Sequence, residues 1–506
     1  MKHLVIGGFL ASSPFLLAQE QPNIIVFLTD DMGLMDTSLP FLTDTAGNPK
    51  RYPLNEWYRT PNMERLAQQG IRFSTFYAQS VSSPSRASLM TGQNATRHHT
   101  TNWINSESNN RNQYGPYEWN WKGIARNEYT LPRLLQDRGY KTIHVGKAHF
   151  GCAGSEAEFP QHIGFDVNIA GSSIGQPGSY YGKHGYGNIK GNKSRAVPGL
   201  EKYHGTDTFL TDALTIEANA QIDEAVKEKK PFFLYMSHYA VHAPFEKDDR
   251  FINHYTSPDK SDQAKAFATL IEGMDKSLGD IMDHLNTLGI AENTLIIFLG
   301  DNGSDAPLGP AREHTSSAPL RGKKGSEFEG GMRVPFIVGW GNPNHRNKFQ
   351  QQLPIAEGKV QTQVGTVMDI YPTLAALTGA TVPASHPVDG KHLQALLTGK
   401  PDPSHENSFL MHFPHNHRGS YFTVYREGDW KLIYYYNPEH PERPDCVLYN
   451  LKEDPEERHE LSATHKEKKL EMIRKMIENL DREGAQYPVD FEGREVRPNL
   501  EFFRQK

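Results

Sequence analysis

Four apolar runs of strand length, each followed at once by a short polar loop, restrict this chain more than any other feature of its sequence. Asn23–Thr29 leads into Asp30-Asp31-Met32-Gly33, and residues 141–145 lead into Gly146-Lys147-Ala148-His149. Residues 231–237 lead to His238 and His242, and residues 294–299 to Gly300-Asp301-Asn302-Gly303. Between them lie segments with apolar residues at helical spacing. One follows Thr60 as its cap, with Pro61 in the first turn and Gly70 past the end; others cover 131–137, 210–229 and 264–288. Strands alternating with helices predict an α/β fold, a large mixed and mostly parallel sheet sandwiched by helices. Ligands of such sheets bind beyond the carboxyl ends of the strands. The Asp, Asn, Lys and His residues that leave the four runs therefore converge on one edge.

The pattern changes after residue 397. Residues 398–404 read as a linker, and short alternating strands follow at 421–426, 430–436 and 447–451, with an amphipathic helix over 466–482. This predicts a small C-terminal α+β subdomain, an antiparallel sheet plus a helix, spanning 398–506 beside a main domain of 19–397. At the other end, Met1-Lys2-His3 is basic, residues 4–17 are apolar apart from Gly, Ser and Pro, and Ala18 precedes a polar run. That is the layout of a signal peptide over 1–18, and it predicts an exported protein, periplasmic or extracellular. The apolar run is broken by Pro14 and is too short to span a bilayer, so no membrane span is expected. A net charge of −6 argues against a nucleic-acid partner. Two cysteines exclude a disulfide scaffold and a four-thiolate zinc site; Cys152 and Cys446 either bridge or stay as buried thiols.

The segment Ser82-Ser83-Pro84-Ser85-Arg86, running on to Thr91-Gly92, is a loop turning into a helix with Pro84 in its first turn. A helix start favours an anion, and Arg86 adds a fixed bidentate positive charge beside the Ser82 hydroxyl. The segment resembles the signature of the type I, formylglycine-dependent sulfatases of the alkaline-phosphatase superfamily. That signature is Cys or Ser, any residue, Pro, Ser or similar, Arg, then an apolar stretch ending in Thr-Gly. The resemblance covers nearly the whole chain after residue 18. It takes in the four loops above, Pro160 to Asp166, His242-Ala243-Pro244 and Leu320-Arg321-Gly322-Lys323-Lys324-Gly325. It continues through Glu329-Gly330-Gly331, Arg333-Val334-Pro335, Asp369 to Thr373 and Gly428-Asp429-Trp430-Lys431-Leu432.

The resemblance implies an alkaline-phosphatase-like fold, a catalytic domain over 19–397, and an enzyme that hydrolyses O-sulfate monoesters. It implies that Ser82 is oxidised to formylglycine by a radical-type maturase, which becomes a partner, because a plain serine lacks the geminal hydroxyl that the reaction needs. Asp30, Asp31, Asp301 and Asn302, with the modified Ser82, match the ligands of a calcium ion; their all-oxygen set suits a hard cation. Arg86, Lys147 and Lys324 match the positive groups around the sulfate. Lys324 is chosen over Lys323 because the family pattern is Arg-Gly-any-Lys-Gly, which leaves Lys323 as a solvated charge. His149 matches the histidine that contacts formylglycine and acts as a base. His242 matches the one that protonates the leaving group together with Lys324. Ala148 departs from the family, where Trp is common.

Sulfated carbohydrate is the expected substrate, whether glycosaminoglycan, mucin or algal glycan. Trp103, Tyr114, Tyr117, Trp119, Trp121, His98, His99, His412, His415, His417 and Arg418 are candidate sugar contacts, with ordinary packing an equal alternative for each. Two rivals stand beside this reading: a phosphate or phosphonate ester hydrolase of the same superfamily, and a non-catalytic binder of sulfated glycans in which Ser82 stays unconverted.

Overall fold

Asn23–Thr29 forms strand β1, buried along its whole length at the middle of an eight-stranded sheet. The structure is a computed structural model and describes residues 21–189, 193–419 and 421–505. The other strands are β2 (Gly70–Phe73), β3 (Lys141–Gly146), β4 (Val167–Ile169), β5 (Phe232–Ser237), β6 (Thr294–Gly300), β7 (Phe336–Trp340) and β8 (Lys359–Gln361). Their order across the sheet is β4-β3-β5-β1-β6-β7-β2-β8. β1 lies parallel to β5, with Ile24 opposite Phe233, and to β6, with Asn23 opposite Thr294. Only β7 runs against the rest, pairing antiparallel with both β6 and β2. The expected mixed, mostly parallel sheet is present.

Side chains on β1 alternate between two cores. Ile25 and Phe27 join one; Ile24, Val26 and Leu28 join the other. Helices Pro61–Gln69, Leu210–Lys227 and Asp262–Thr287 cover the first face through residues such as Leu66, Leu214 and Met274. Helices Ser82–Thr91, Leu131–Gln136 and Ile370–Thr378 cover the second through Leu89, Leu134 and Leu374. A strand covered on both sides has no polar face to show, which is why these runs read as unbroken apolar sequence. Thr60 does not cap its helix with its side chain. Asp275 does so from the neighbouring helix, accepting from the backbone N–H groups of Asn62 and Met63 at 3.0 and 2.8 Å.

The C-terminal sheet has four strands, not the three expected: β9 (Ser408–Phe413), β10 (Phe422–Glu427), β11 (Trp430–Tyr435) and β12 (Asp445–Asn450), an antiparallel meander in that order. Helix Lys466–Glu483 packs on one face, with Met472 and Met476 against Leu432 and Tyr434. The other face closes an apolar seam with the large domain, where Phe409, Met411 and Val424 meet Tyr77, Val81 and Met332. A buried charge cluster crosses the same seam. Lys431 pairs with Glu329 at 3.0 Å and with Glu457 at 2.6 Å, all three side chains fully buried.

Cys152 and Cys446 are free and buried, one with Ile104 and Trp119, the other in the C-terminal core, so the bridge is not formed. Among the described residues no helix is long and apolar enough to cross a membrane. The signal peptide expected over 1–18 lies outside the described residues.

Candidate active site

The register of the sheet decides which loops meet. Thr29 sits opposite Gly300, so Asp30 and Asp301 leave adjacent parallel strands side by side. The Asp301 N–H donates to the Thr29 carbonyl, and the Asp31 N–H to Asp301 Oδ1, both at 3.0 Å. At the end of β3, Gly146 has φ +105, and a Cβ there would lie 1.8 Å from the Ser237 carbonyl. That close approach lets the Lys147 N–H donate to the same carbonyl at 2.8 Å and directs the lysine to the strand ends. Asp31 and His149 hold φ of 61 and 54, the left-handed region that costs a non-glycine residue about 1–3 kcal/mol. Helix Ser82–Thr91 starts at the same edge. Its N-cap is Val81, which offers no side-chain acceptor, so the first turn keeps its affinity for an anion.

Ser82 Oγ lies 3.1 Å from Asp30 Oδ1, 3.2 Å from Asn302 Oδ1 and 3.2 Å from Lys147 Nζ. Behind it, Arg86 grips Asp301 Oδ2 through Nε at 3.1 Å and Nη2 at 2.8 Å. Its Nη1 donates to Ser237 Oγ at 2.7 Å. Lys147 Nζ donates to Asp30 Oδ2 at 2.7 Å, and Lys324 Nζ pairs with Asp31 at 2.7 Å. Asn302 Nδ2 donates to Asp31 Oδ1 at 3.0 Å, which aims its oxygen at Ser82. The predicted residues of all four strand exits, the Ser82 helix and the Lys324 loop are thus brought together.

The carboxylates of Asp30, Asp31 and Asp301 are fully buried, with an oxygen of each within 4.8 Å of the others. Burial, with Asp301 and Asp31 adding to it, pushes Asp30 up to about 8 against the pull of Lys147. Despite burial, His242 and Lys324 hold Asp31 below the usual carboxylate range, and Arg86 and Lys147 hold Asp301 well below it. Three crowded carboxylates with an amide oxygen beside them make an oxygen-only cluster that fits a hard divalent cation. The site also fits a geminal diol at position 82. With Asp30 ionised, as a bound cation would keep it, a serine hydroxyl has one proton for two acceptors, Asp30 Oδ1 and Asn302 Oδ1. Two hydroxyls would satisfy both.

The histidine tautomers follow from their partners. His149 Nε2 lies 2.7 Å from the Ile104 carbonyl and must donate, so Nδ1 carries the lone pair. Burial, with Lys147 nearby, holds the ring well below its ordinary value. His149 touches Ser83 Oγ rather than Ser82, at 3.4 Å, and Ser83 in turn accepts from the Ile104 N–H at 3.0 Å. No sequence signal points to this bracing by Ser83, because the family signature leaves that position open. His242 Nδ1 donates to the Ala243 carbonyl at 3.0 Å, leaving Nε2 to accept from Lys324 Nζ at 3.0 Å. Burial pushes His242 down to about 4, against the pull of Asp31.

Ser82, Lys147, His149, His242 and Lys324 line one cavity of about 480 Å³. Of the candidate sugar contacts, Trp103, His417 and Arg418 line it too. The others pack elsewhere. Trp119 is buried against His415; His412 is buried between Thr423 and the Gln486 carbonyl; His98 meets Ser88; His99 meets the Gly484 carbonyl. Tyr114 packs on Tyr421, Trp121 joins the Trp119 cluster, and Tyr117 is exposed beneath Arg111. Lys323 is not a solvated charge: its ammonium is largely buried and pairs with Asp305 at 3.1 Å. Ala148 is fully buried in the second core and does not reach the cavity.

Residues 22–380 match the family model described as Sulfatase, and residues 324–486 match the model described as N-sulphoglucosamine sulphohydrolase, C-terminal. The chain is 32% identical over 407 residues to an N-acetylgalactosamine-6-sulfatase of Mus musculus, covering 76% of this chain and 67% of that one. It is 29% identical over 525 residues to a sulfatase of Formosa agariphila, covering 89% and 86%. Among solved structures, Ps i-CgsB in complex with k-i-k-neocarrahexaose superposes with a TM-score of 0.70 at 26% identity, covering 94% of this chain and 96% of that one. The strand-end cluster and the match over most of the chain lead to the same place: the chain belongs to the sulfatase family.

Proposed function

We propose that this sulfatase acts on O-sulfate esters of carbohydrate, that Asp30, Asp31, Asp301 and Asn302 with the modified Ser82 hold calcium, and that Ser82 works as formylglycine. The reading includes export through residues 1–18 and a catalytic domain of 19–397 with a C-terminal subdomain of 398–506. The observation that carries it is the single Ser82 hydroxyl set between two acceptors and an ammonium, directly over three buried carboxylates. The carbohydrate part is supported by the saccharide-related names of similar proteins, an N-acetylgalactosamine-6-sulfatase and a complex with a neocarrahexaose.

When bound, the calcium would draw in the sulfate oxygens and the hydrated aldehyde would supply the attacking oxygen and a second hydroxyl. The chain's own residues do the rest. Arg86 fixes Asp301 in place from behind. Lys147 and Lys324 line the cavity with their ammonium groups held on Asp30 and Asp31, beside the place where charge builds on the ester oxygens during cleavage. His149 Nδ1 is unprotonated and accepts a proton. The proton for the leaving oxygen is held on Lys324 Nζ, 3.0 Å from His242 Nε2, so the pair delivers it jointly.

The test is to produce the chain with and without a radical maturase, determine the mass of the peptide carrying Ser82, and compare sulfate with phosphate ester hydrolysis. Oxidation by two electrons removes two hydrogens from Ser82, and sulfate release should rise with that species. Full activity with unmodified Ser82, or faster turnover of the phosphate ester, overturns the reading.

A further inference from the structure

Beyond the groups that face the scissile sulfate, the cavity wall carries a second set of donors from loops far apart in sequence. Arg418, between β9 and β10, clamps Asp305: Nη1 donates to Oδ1 at 2.6 Å and Nη2 to Oδ2 at 3.0 Å. The other hydrogen of Nη1 goes to the Lys324 carbonyl, 3.2 Å away. A guanidinium has five N–H donors in a rigid fork. Arg418 therefore keeps two, one on Nε and one on Nη2, that meet no acceptor among the described residues. These two form the side-on edge of the fork, which grips a carboxylate or sulfate through parallel bonds.

Asp305 does not cancel this charge, because Lys323 shares the same carboxylate at 3.1 Å. Arg195 lines the same cavity, exposed, and its guanidinium has no partner among the described residues. His417 stands beside Arg418 on the wall, its buried Nε2 without a hydrogen-bond partner among the described residues. Among the described residues, Glu107 is the only other carboxylate on the lining, beside Arg195 and Arg418; Lys147 and Lys324 line it too but are paired with Asp30 and Asp31. The cavity, about 480 Å³, has the size of a small-ligand site rather than that of a lone sulfate.

We propose that this wall is a second anion site: the substrate carries, besides the ester sulfate that is cleaved, a carboxylate or another sulfate received by Arg418 and Arg195. The proposal rests on the sulfatase reading of the first site. Three saccharides built on one sulfated sugar test it: one otherwise neutral, one with a neighbouring uronate carboxylate, one with a second sulfate. Each is offered to the wild type, Arg418→Lys and Arg195→Ala, with kcat/KM measured and, independently of turnover, Kd by calorimetry. Arg418→Lys keeps a cation for Asp305 while removing the fork; Arg195→Ala removes a side chain that has no partner among the described residues.

At least one dianionic saccharide should be favoured by about tenfold or more in the wild type, the size of a charge-assisted pair of bonds. That preference should shrink toward unity in both variants, and whichever dianion shows it identifies the second group. Equal Kd and kcat/KM for all three saccharides, or a preference that survives both substitutions, overturns the proposal. No sulfate release from any saccharide, with the Kd preference intact, instead removes the reading of the first site and leaves the second standing.

Discussion

Replacing Lys431 with Met takes the ammonium out of a sealed cluster. Its Nζ lies 3.0 Å from Glu329 Oε1 and 2.6 Å from Glu457 Oε1, and none of the three side chains touches solvent. Glu329 keeps the Tyr77 hydroxyl at 2.8 Å and Arg333 at 3.4 Å. Among the described residues Glu457 keeps only the Glu329 N–H, at 2.8 Å. Breaking a buried pair by removing one partner costs about 3–5 kcal/mol, because the charge left behind is uncompensated. The loss depends on pH. Burial, offset in part by Lys431, already pushes Glu457 up to about 7, while despite its burial Glu329 is held down to about 2 by Lys431 and Arg333. Between its unfolded value and the raised one, folded Glu457 holds a proton that the unfolded chain has lost, so its contribution to stability falls as pH rises through that window. Loss of Lys431 moves the window upward, since a neutral Glu457 tolerates burial and an ionised one does not. Denaturant midpoints of wild type and Lys431→Met should therefore differ already near about pH 6, where Glu329 is ionised, and most near about pH 9, where Glu457 ionises too. A deficit below about 0.5 kcal/mol at both, or one larger at the acidic pH, refutes the charge argument.

Two more outcomes concern the site itself. Chelation should abolish activity and lower the thermal midpoint, and calcium at a hundred times its Kd should restore about 2.7 kcal/mol; a chain indifferent to chelators holds no ion among Asp30, Asp31 and Asp301. His242→Ala should slow sugar sulfates by roughly 10²–10⁴-fold but aryl sulfates with good leaving groups far less, because only the poor leaving oxygen needs the Lys324–His242 proton. Equal losses on both substrates would place His242 outside leaving-group protonation.

Much of the site was legible because local and global signals coincide at the strand ends. A run such as Asn23–Thr29 can be buried on both faces only at the centre of a covered sheet, and the loop leaving it must then lie at the sheet's edge. The same logic fails for Ser408–Phe413. Its six residues show no alternation, because a helix covers one face and the large domain the other, and nothing marks them as a strand rather than a loop. The histidines in and beyond it are equally opaque. His412 and His415 are buried while His417 lines the cavity, a choice made by how the turn into β10 docks and not by any local pattern. The Arg418–Asp305 clamp joins positions 113 apart, and Lys323 reads as a solvated charge because its partner, too, is set by tertiary structure.

The burial of Ser82 also imposes a timetable. The residue is 2% exposed, and Val81 before it lies in the seam closed by the C-terminal sheet. Its neighbours Asp30, Asn302 and Lys147 come from three different strand ends, so the pocket cannot form until residue 302 has been made, nor the seam until the last strands arrive. An enzyme that oxidises Ser82 reaches it most readily in that interval, before the seam closes. The length of polypeptide downstream of the serine thus acts as a clock, and a chain that folds ahead of its modification presents Ser82 only through the cavity.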